Sequence, residues 1–341
     1  MGRFKWSALV IPAIVLLGTG CIRRVTVSEL LPPANEPLST DELVTRINAF
    51  GEIKTLSAQG SVYVLNYFTG VGSQADELPG ANQVLRFQRP AHILMRVRVA
   101  VVGTKVVDMV SDGQQFQLAL YYPTEKRQFI HGSNLADYER MAADEIKRAK
   151  DPTLSQAGGL LNMRPQHVTE AFLIRPASGE KIDYFREEVR QREADDRPGK
   201  KGRFVERPYY VIYLTERQNG SGRAELLRKY WFDRTKSGTP LVRQQTFEGS
   251  GGKLTSDILY SEWFKSGVHD VPGRVKVDRR TDGYRIELTL EPESVLINAE
   301  LPDTTFVLEN TEGLKDVDLD APRKETSSRP PGTETVKLPK R

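Results

Sequence analysis

From Ile53 onward, apolar side chains recur at every second residue, run after run, and only strands that bury one face satisfy a period of two. Ile93, Met95, Val97 and Val99 alternate with His92, Leu94, Arg96 and Arg98. Phe116, Leu118 and Leu120 alternate with Gln115, Gln117 and Ala119, and Tyr284, Ile286, Leu288 and Leu290 with Arg285, Glu287 and Thr289. Between the runs stand turn-forming pairs at hairpin spacing: Gly103-Thr104, Asp112-Gly113, Pro123-Thr124, Asn219-Gly220 and Asp282-Gly283. The pattern predicts about eleven strands, nearly all antiparallel neighbours.

One helical pattern precedes the alternation and a helical insert interrupts it. Ser39 and Glu42 have capping-box spacing, Leu43, Ile47 and Phe50 make an apolar stripe, and Gly51 stops it. Residues 135–149 are rich in helix formers, and 154–163 and 166–172 read as two more short helices. The order is helix, strands, helices, strands, which predicts an α+β domain with helices packed on one large curved sheet. Residues 22–38 contain Pro32, Pro33 and Pro37 and read as an extended tether. Residues 66–82 and the charged stretch 190–205 read as long loops, and 311–341 as a disordered tail without aromatic residues. The expected divisions are therefore a leader over 1–20, a tether over 21–38, the domain over 39–310 and a tail over 311–341.

Composition excludes several classes of function. The 49 Lys and Arg are interspersed with 45 Asp and Glu for a net charge of +4, so no basic face for nucleic acid is expected. A single cysteine, Cys21, rules out an intrachain disulfide and any cysteine cluster for a metal. No GxSxG, SxxK or GxxxxGK[ST] motif is present, and His92, His131, His167 and His269 lack metal-ligand spacing. Surface or strand-edge roles are expected for all of them. No catalytic group, metal or cofactor is expected, and the chain does not read as an enzyme.

The N-terminus is an address. Arg3 and Lys5 precede an apolar run from Ala8 to Leu17, too short for a comfortable transmembrane helix, and Gly18-Thr19-Gly20 lead to Cys21. Leu17-Gly18-Thr19-Gly20-Cys21 resembles the lipobox of bacterial lipoproteins, displaced because Leu17 lies four residues before the cysteine. That resemblance implies a diacylglyceryl thioether on Cys21, cleavage before it, and N-acylation by a chain such as palmitate. Two or more acyl chains meet the requirement for stable anchoring. Ile22 after the cysteine, in place of Asp, resembles the enterobacterial sorting signal for the outer membrane, and that resemblance implies its periplasmic face.

Residues 106–130, VVDMVSDGQQFQLALYYPTEKRQFI, resemble a strand–turn–strand motif of the lipoprotein-localisation superfamily, the LolA/LolB-like proteins. The positions that carry it are Ser111, Asp112, Gly113, Phe116, Tyr121, Tyr122, Pro123 and Lys126. Arg86-Phe87-Gln88-Arg89-Pro90 with strand 93–99, Ser57-Ala58-Gln59-Gly60-Ser61 after the first helix, and a closing strand at 302–309 extend it over about 40–310. The resemblance implies an incomplete antiparallel β-barrel of about eleven strands, with helices over an apolar cavity.

A hydrophobic concavity needs no catalytic group to hold an acyl chain. Met95, Val97, Val99, Phe116, Leu118, Tyr209, Val211, Tyr213, Tyr230, Phe232, Ile286 and Leu288 are the expected lining, and they are plain core if helices seal the face. Two functions follow. The chain is a membrane-anchored carrier of a lipid or lipoprotein acyl chain, or it is a structural or regulatory lipoprotein that binds an envelope protein.

Overall fold

A computed structural model describes residues 28–66, 81–99, 103–122, 124, 127–134, 163–200, 202–218, 223–249 and 251–321. The leader, Cys21, the 67–80 stretch and the helices expected at 135–149 and, but for Met163, at 154–163 lie outside the described residues. In chain order the first elements are β1 (Glu29–Leu30), α1 (Thr40–Ala49), β2 (Thr55–Asn66), β3 (Ala81–Gln88) and β4 (His92–Val99). Then come β5 (Lys105–Ser111), β6 (Gln115–Leu120), β7 (Gln128–Ser133), α2 (Pro165–Phe172), β8 (Ile182–Ala194) and β9 (Phe204–Arg217). The last are β10 (Ala224–Asp233), β11 (Leu241–Glu248), β12 (Lys253–Ser266), β13 (His269–Arg279), β14 (Tyr284–Leu290), β15 (Leu296–Ile297) and β16 (Lys315–Asp318).

All strands join one 16-stranded sheet in the spatial order 8-9-10-11-12-13-14-2-3-4-5-6-7-16, with β1 beside β9 and β15 beside β2. Three of the strands beyond the expected eleven, β1, β15 and β16, are only two to four residues long and carry no alternating pattern of their own. Long neighbours are antiparallel, and only β1 on β9 and β16 on β7 are parallel. The two outermost strands, β8 and β16, do not meet, so the sheet stays open. It wraps around its contents because register shifts at β4/β5, β9/β10, β10/β11 and β11/β12 add local bends to the ordinary twist. Gly60 lets β2 approach β14 closely, since a Cβ there would stand 1.8 Å from the Thr289 carbonyl oxygen.

The expected α+β class holds in a coarser form: the described chain is mostly strand, with two α-helices. The capping box forms as expected, with Ser39 Oγ accepting from Glu42 N at 3.2 Å and Glu42 Oε2 accepting from Ser39 N at 2.7 Å. That start turns Leu43, Val44 and Ile47 into the concavity. α2 buries Val168, Ala171 and Phe172, and Phe172 stacks on Phe87 of β3 with ring centroids 5.0 Å apart.

Among the described residues much of the cover is irregular chain, and its backbone polar groups need partners. Buried tyrosine hydroxyls from the sheet supply several. Tyr210 accepts from Leu38 N at 3.3 Å, Tyr230 donates to the Arg175 carbonyl at 3.1 Å, and Tyr260 donates to the Ala171 carbonyl at 2.9 Å. Burial pushes the Tyr230 hydroxyl up to about 12 and raises Tyr260 and Tyr284, so each stays a proton-bearing donor. Arg89, from the motif after β3, reaches both helix ends. It donates to the carbonyls of Phe50 (2.9 Å) and Ile53 (2.8 Å) beyond α1, and of Ile174 (2.9 Å) and Leu173 (3.4 Å) beyond α2. Helix C-termini present unpaired carbonyls with partial negative charge, which one guanidinium here satisfies without a carboxylate.

Several expectations are corrected. Leu94 does not face solvent: with Val110, Ala119 and Phe129 it forms a second core on the convex face, sealed by Leu308 and Leu314. Residues 302–309 form a short 3-10 turn, Asp303–Phe306, rather than a closing strand. Order continues past 311, where β16 pairs with β7 and Val317 and Leu319 pack on the main core. The stretch 190–205 is a loop only at 195–203, because β8 and β9 extend into it from both sides. The tether is shorter than expected, since Glu29 joins the sheet and is held by Arg197 at 2.7 Å.

Arg89→Met leaves helix-end carbonyls unsatisfied and is expected to lower unfolding stability by about 3 kcal/mol. Arg89→Lys, a point charge in place of a fork, restores less than half of that. Urea unfolding of the three proteins measures both differences.

Candidate functional site

The apolar concavity opens at the end where α1 finishes. A cavity of about 640 Å³ lies there between the last turn of α1, the β10–β11 turn and the β12–β13 hairpin. Phe50, Ile53, Phe232, Leu241, Tyr260 and Trp263 give it apolar walls, and Arg46, Lys236, Glu262 and Lys265 stand among its lining. Phe50 and Tyr260 each contact the Trp263 ring at centroid separations of 5.8 Å.

Local sequence sets this geometry. Strand alternation from Ile258 and Tyr260 would turn Trp263 to the other face. Glu262 instead takes a left-handed backbone, φ 57°, and Trp263 comes to pack beside Tyr260. The kink fits only because Gly273 lies opposite: a Cβ there would stand 2.5 Å from the Glu262 carbonyl oxygen. Across the cavity, Thr239 is also left-handed, φ 46°, in a turn held from two sides. Arg46 donates to the carbonyls of Gly238 and Thr239, and Asn35 Nδ2 donates to the Lys236 carbonyl at 2.8 Å. The charged rim is partly neutralised by Lys265–Asp270 at 2.8 Å and Arg274–Glu262 at 3.0 Å. Among the described residues the buried Trp263 Nε1 has no hydrogen-bond partner.

The expected lining residues divide three ways. Met95, Val97, Phe116, Leu118, Tyr230, Ile286 and Leu288 lie in the main core beneath the helices, with Val99 packed at its margin. Phe232 belongs to that core and also lines the cavity. Tyr209, Val211 and Tyr213 are corrected: β9 turns Tyr210, Ile212 and Leu214 into the core and these three to the convex face. There Tyr213 stacks on Phe185 at 4.5 Å, and Tyr209 donates to Glu193 Oε1 at 2.9 Å. β9 is apolar on both faces, so its alternation does not say which face is inner. Sequence reading missed Trp263, Phe50 and Tyr260 as cavity residues. The only signal for Trp263 was Gly273 within an otherwise β-rich run.

No family model matches the chain, and no curated protein matches it. Solved structures similar to it include a LolA superfamily protein from Nitrosomonas europaea, at 10% identity and a TM-score of 0.38, covering 80% of this chain and 99% of that one. A putative outer membrane lipoprotein-sorting protein domain from Vibrio parahaemolyticus is 11% identical, with a TM-score of 0.39, over 78% of this chain and 94% of its own. A DUF1329 family protein from Desulfovibrio piger is 12% identical, with a TM-score of 0.39, over 78% and 95%. The superfamily that the hairpin motifs resemble is thus among the similar structures. Likeness at this level transfers no residue role.

Among the described residues no cluster of His, Cys, Asp or Glu is placed to hold a metal ion. His131 lies 3.3 Å from Asp316, where β16 meets β7. His167 departs from its expected surface role: it is buried on α2, with Nδ1 2.5 Å from the Tyr284 hydroxyl. Burial, then Arg279 and Arg164, hold its pKa well below the usual value. Asp282, 3.8 Å away, does not reverse this because it pairs with Arg279. Below about pH 6.5 the unfolded chain takes up a proton that the folded His167 refuses, so this site removes stability as pH falls. Thermal melts of the wild type are expected to lose stability below that pH more steeply than those of His167→Gln, which cannot titrate.

Proposed function

We propose that the chain is a lipid-anchored envelope protein that takes a single acyl chain into the cavity between α1 and the β12–β13 hairpin. The observation that carries the reading is that cavity: about 640 Å³, walled by Phe50, Ile53, Phe232, Leu241, Tyr260 and Trp263. Its size falls within the range of small-molecule sites, and its polar groups lie among otherwise apolar walls. Burying a methylene gains about 0.8 kcal/mol, so a dozen gain about 10 kcal/mol before entropic losses. Apolar contact alone can therefore drive capture, without chemistry at the site. The core residues beneath the helices support the walls and leave the ligand to the open end.

Anchoring through Cys21 puts such a site at a membrane surface, on the periplasmic side of the outer membrane in this reading. The ligand is the acyl part of a lipid or of a lipoprotein, and the role is its transport or localisation.

Ala49 is exposed at the end of α1 and lines the cavity, so Ala49→Trp narrows it without entering the core. The wild type is expected to bind a fluorescent acyl probe and quench Trp263, and Ala49→Trp to weaken binding by about ten-fold or more, roughly 1.4 kcal/mol. A wild type that binds no probe and carries no lipid in native mass spectrometry removes the carrier reading and leaves a protein-binding lipoprotein. Separately, Cys21→Ser is expected to move the protein from the membrane to the soluble fraction, read by fractionation and by loss of labelled palmitate.

A further inference from the structure

The far end of the same concave face carries a buried cation that no described carboxylate neutralises. Arg228 lies on β10 directly between Leu214 of β9 and Thr246 of β11, and Ser256 of β12 follows Thr246 in the same cross-strand row. Only 9% of Arg228 and 7% of Thr246 is exposed. Among the described residues Arg228 Nε and Thr246 Oγ1 both lack a hydrogen-bond partner. Among the described residues no carboxylate pairs with Arg228.

The groups around it are already engaged. Glu170, on α2, pairs with Arg175 at 3.3 Å. The Tyr230 hydroxyl is committed to the Arg175 carbonyl, and that of Tyr260 to Ala171 and to Gln244 Oε1 at 3.4 Å. At the same end of the sheet Arg279 pairs with Asp282. Buried charges are ordinarily paired, and buried donors ordinarily bonded, because desolvation is otherwise uncompensated. Two orphaned groups on cross-strand neighbours, a guanidinium and a hydroxyl, offer the donors that an oxyanion takes.

We propose that Arg228 and Thr246 form a binding site for an oxyanion, a carboxylate or phosphate group, distinct from the acyl cavity. Along β10 it lies four residues from Phe232, roughly 13 Å at the rise of a strand. The fork of Arg228 takes two oxygens and the Thr246 hydroxyl a third contact. The anion is free phosphate or the charged head of an amphiphile.

Thermal unfolding of the wild type, Arg228→Met, Arg228→Lys and Thr246→Val tests this, with sodium phosphate, sodium dodecanoate or sodium chloride of matched ionic strength. Phosphate or dodecanoate is expected to raise the wild-type Tm by a few degrees over chloride. Arg228→Met is expected to lose that gain, Arg228→Lys to keep part of it, and Thr246→Val to need about ten-fold more anion. Without anion, Arg228→Met is expected to melt at or above the wild type, since an unpaired buried charge has been removed. A gain from phosphate identifies a free oxyanion, and a gain from dodecanoate alone identifies an amphiphile head. The proposal fails if neither probe acts through Arg228, or if Arg228→Met melts lower in anion-free buffer. Ala49→Trp should keep the anion effect, which separates this site from failure of the acyl reading.

Discussion

One guanidinium closes this molecule. Arg89 donates to the carbonyls at the ends of both α1 and α2 and fixes them against the turn between β3 and β4. An open sheet with an apolar inner face needs a cover, and among the described residues two short helices supply part of it. The rest of the described cover is irregular chain, whose amides and carbonyls would be left dry without partners. The sheet answers with polar tips on large side chains: the rings of Tyr210, Tyr230 and Tyr260 fill the core, and their hydroxyls fasten the segments above them. Packing and polar satisfaction come from the same residues, so the cover has one place to sit.

That arrangement confines where a ligand can go. The middle of the concavity is occupied by Leu43, Ile47, Val168 and Phe172 against Met95, Phe87 and Ile286, all closed to solvent. Space remains at the end of α1, where backbone kinks at Glu262 and Thr239 hold aromatic and polar side chains apart. At the opposite end the inner face turns polar, through Arg228, Thr246 and Ser256. One sheet face thus changes from oily to charged along its strands, with sealed core between.

Much of the sheet could be read from the alternation at Ile93–Val99, Phe116–Leu120 and Tyr284–Leu290, because a period of two specifies both strand and face where one side is wet. The start of α1 was equally plain, since Ser39 and Glu42 act over three residues. What escaped depended on distant chain. Leu94 looks like a solvent-facing position until Leu308 and Leu314 cross the convex face. β9 is apolar on both sides, so Tyr209, Val211 and Tyr213 could not be told from Tyr210, Ile212 and Leu214. Trp263 was hidden because its face is set by a kink at a glutamate, a residue that gives no warning of a left-handed backbone. His167 gave no sign of burial, which comes from Tyr284 more than a hundred residues on.

The early pairing of Glu29 with β9, braced by Arg197, fixes how far the body can stand from whatever holds Cys21. Only residues 22–28 intervene, and at full stretch they span roughly 25 Å. Under the lipid anchor proposed at Cys21, so short a leash would keep the corner formed by β1, β8 and β9 close to the bilayer, and any acyl chain received or handed on would have to come to that surface.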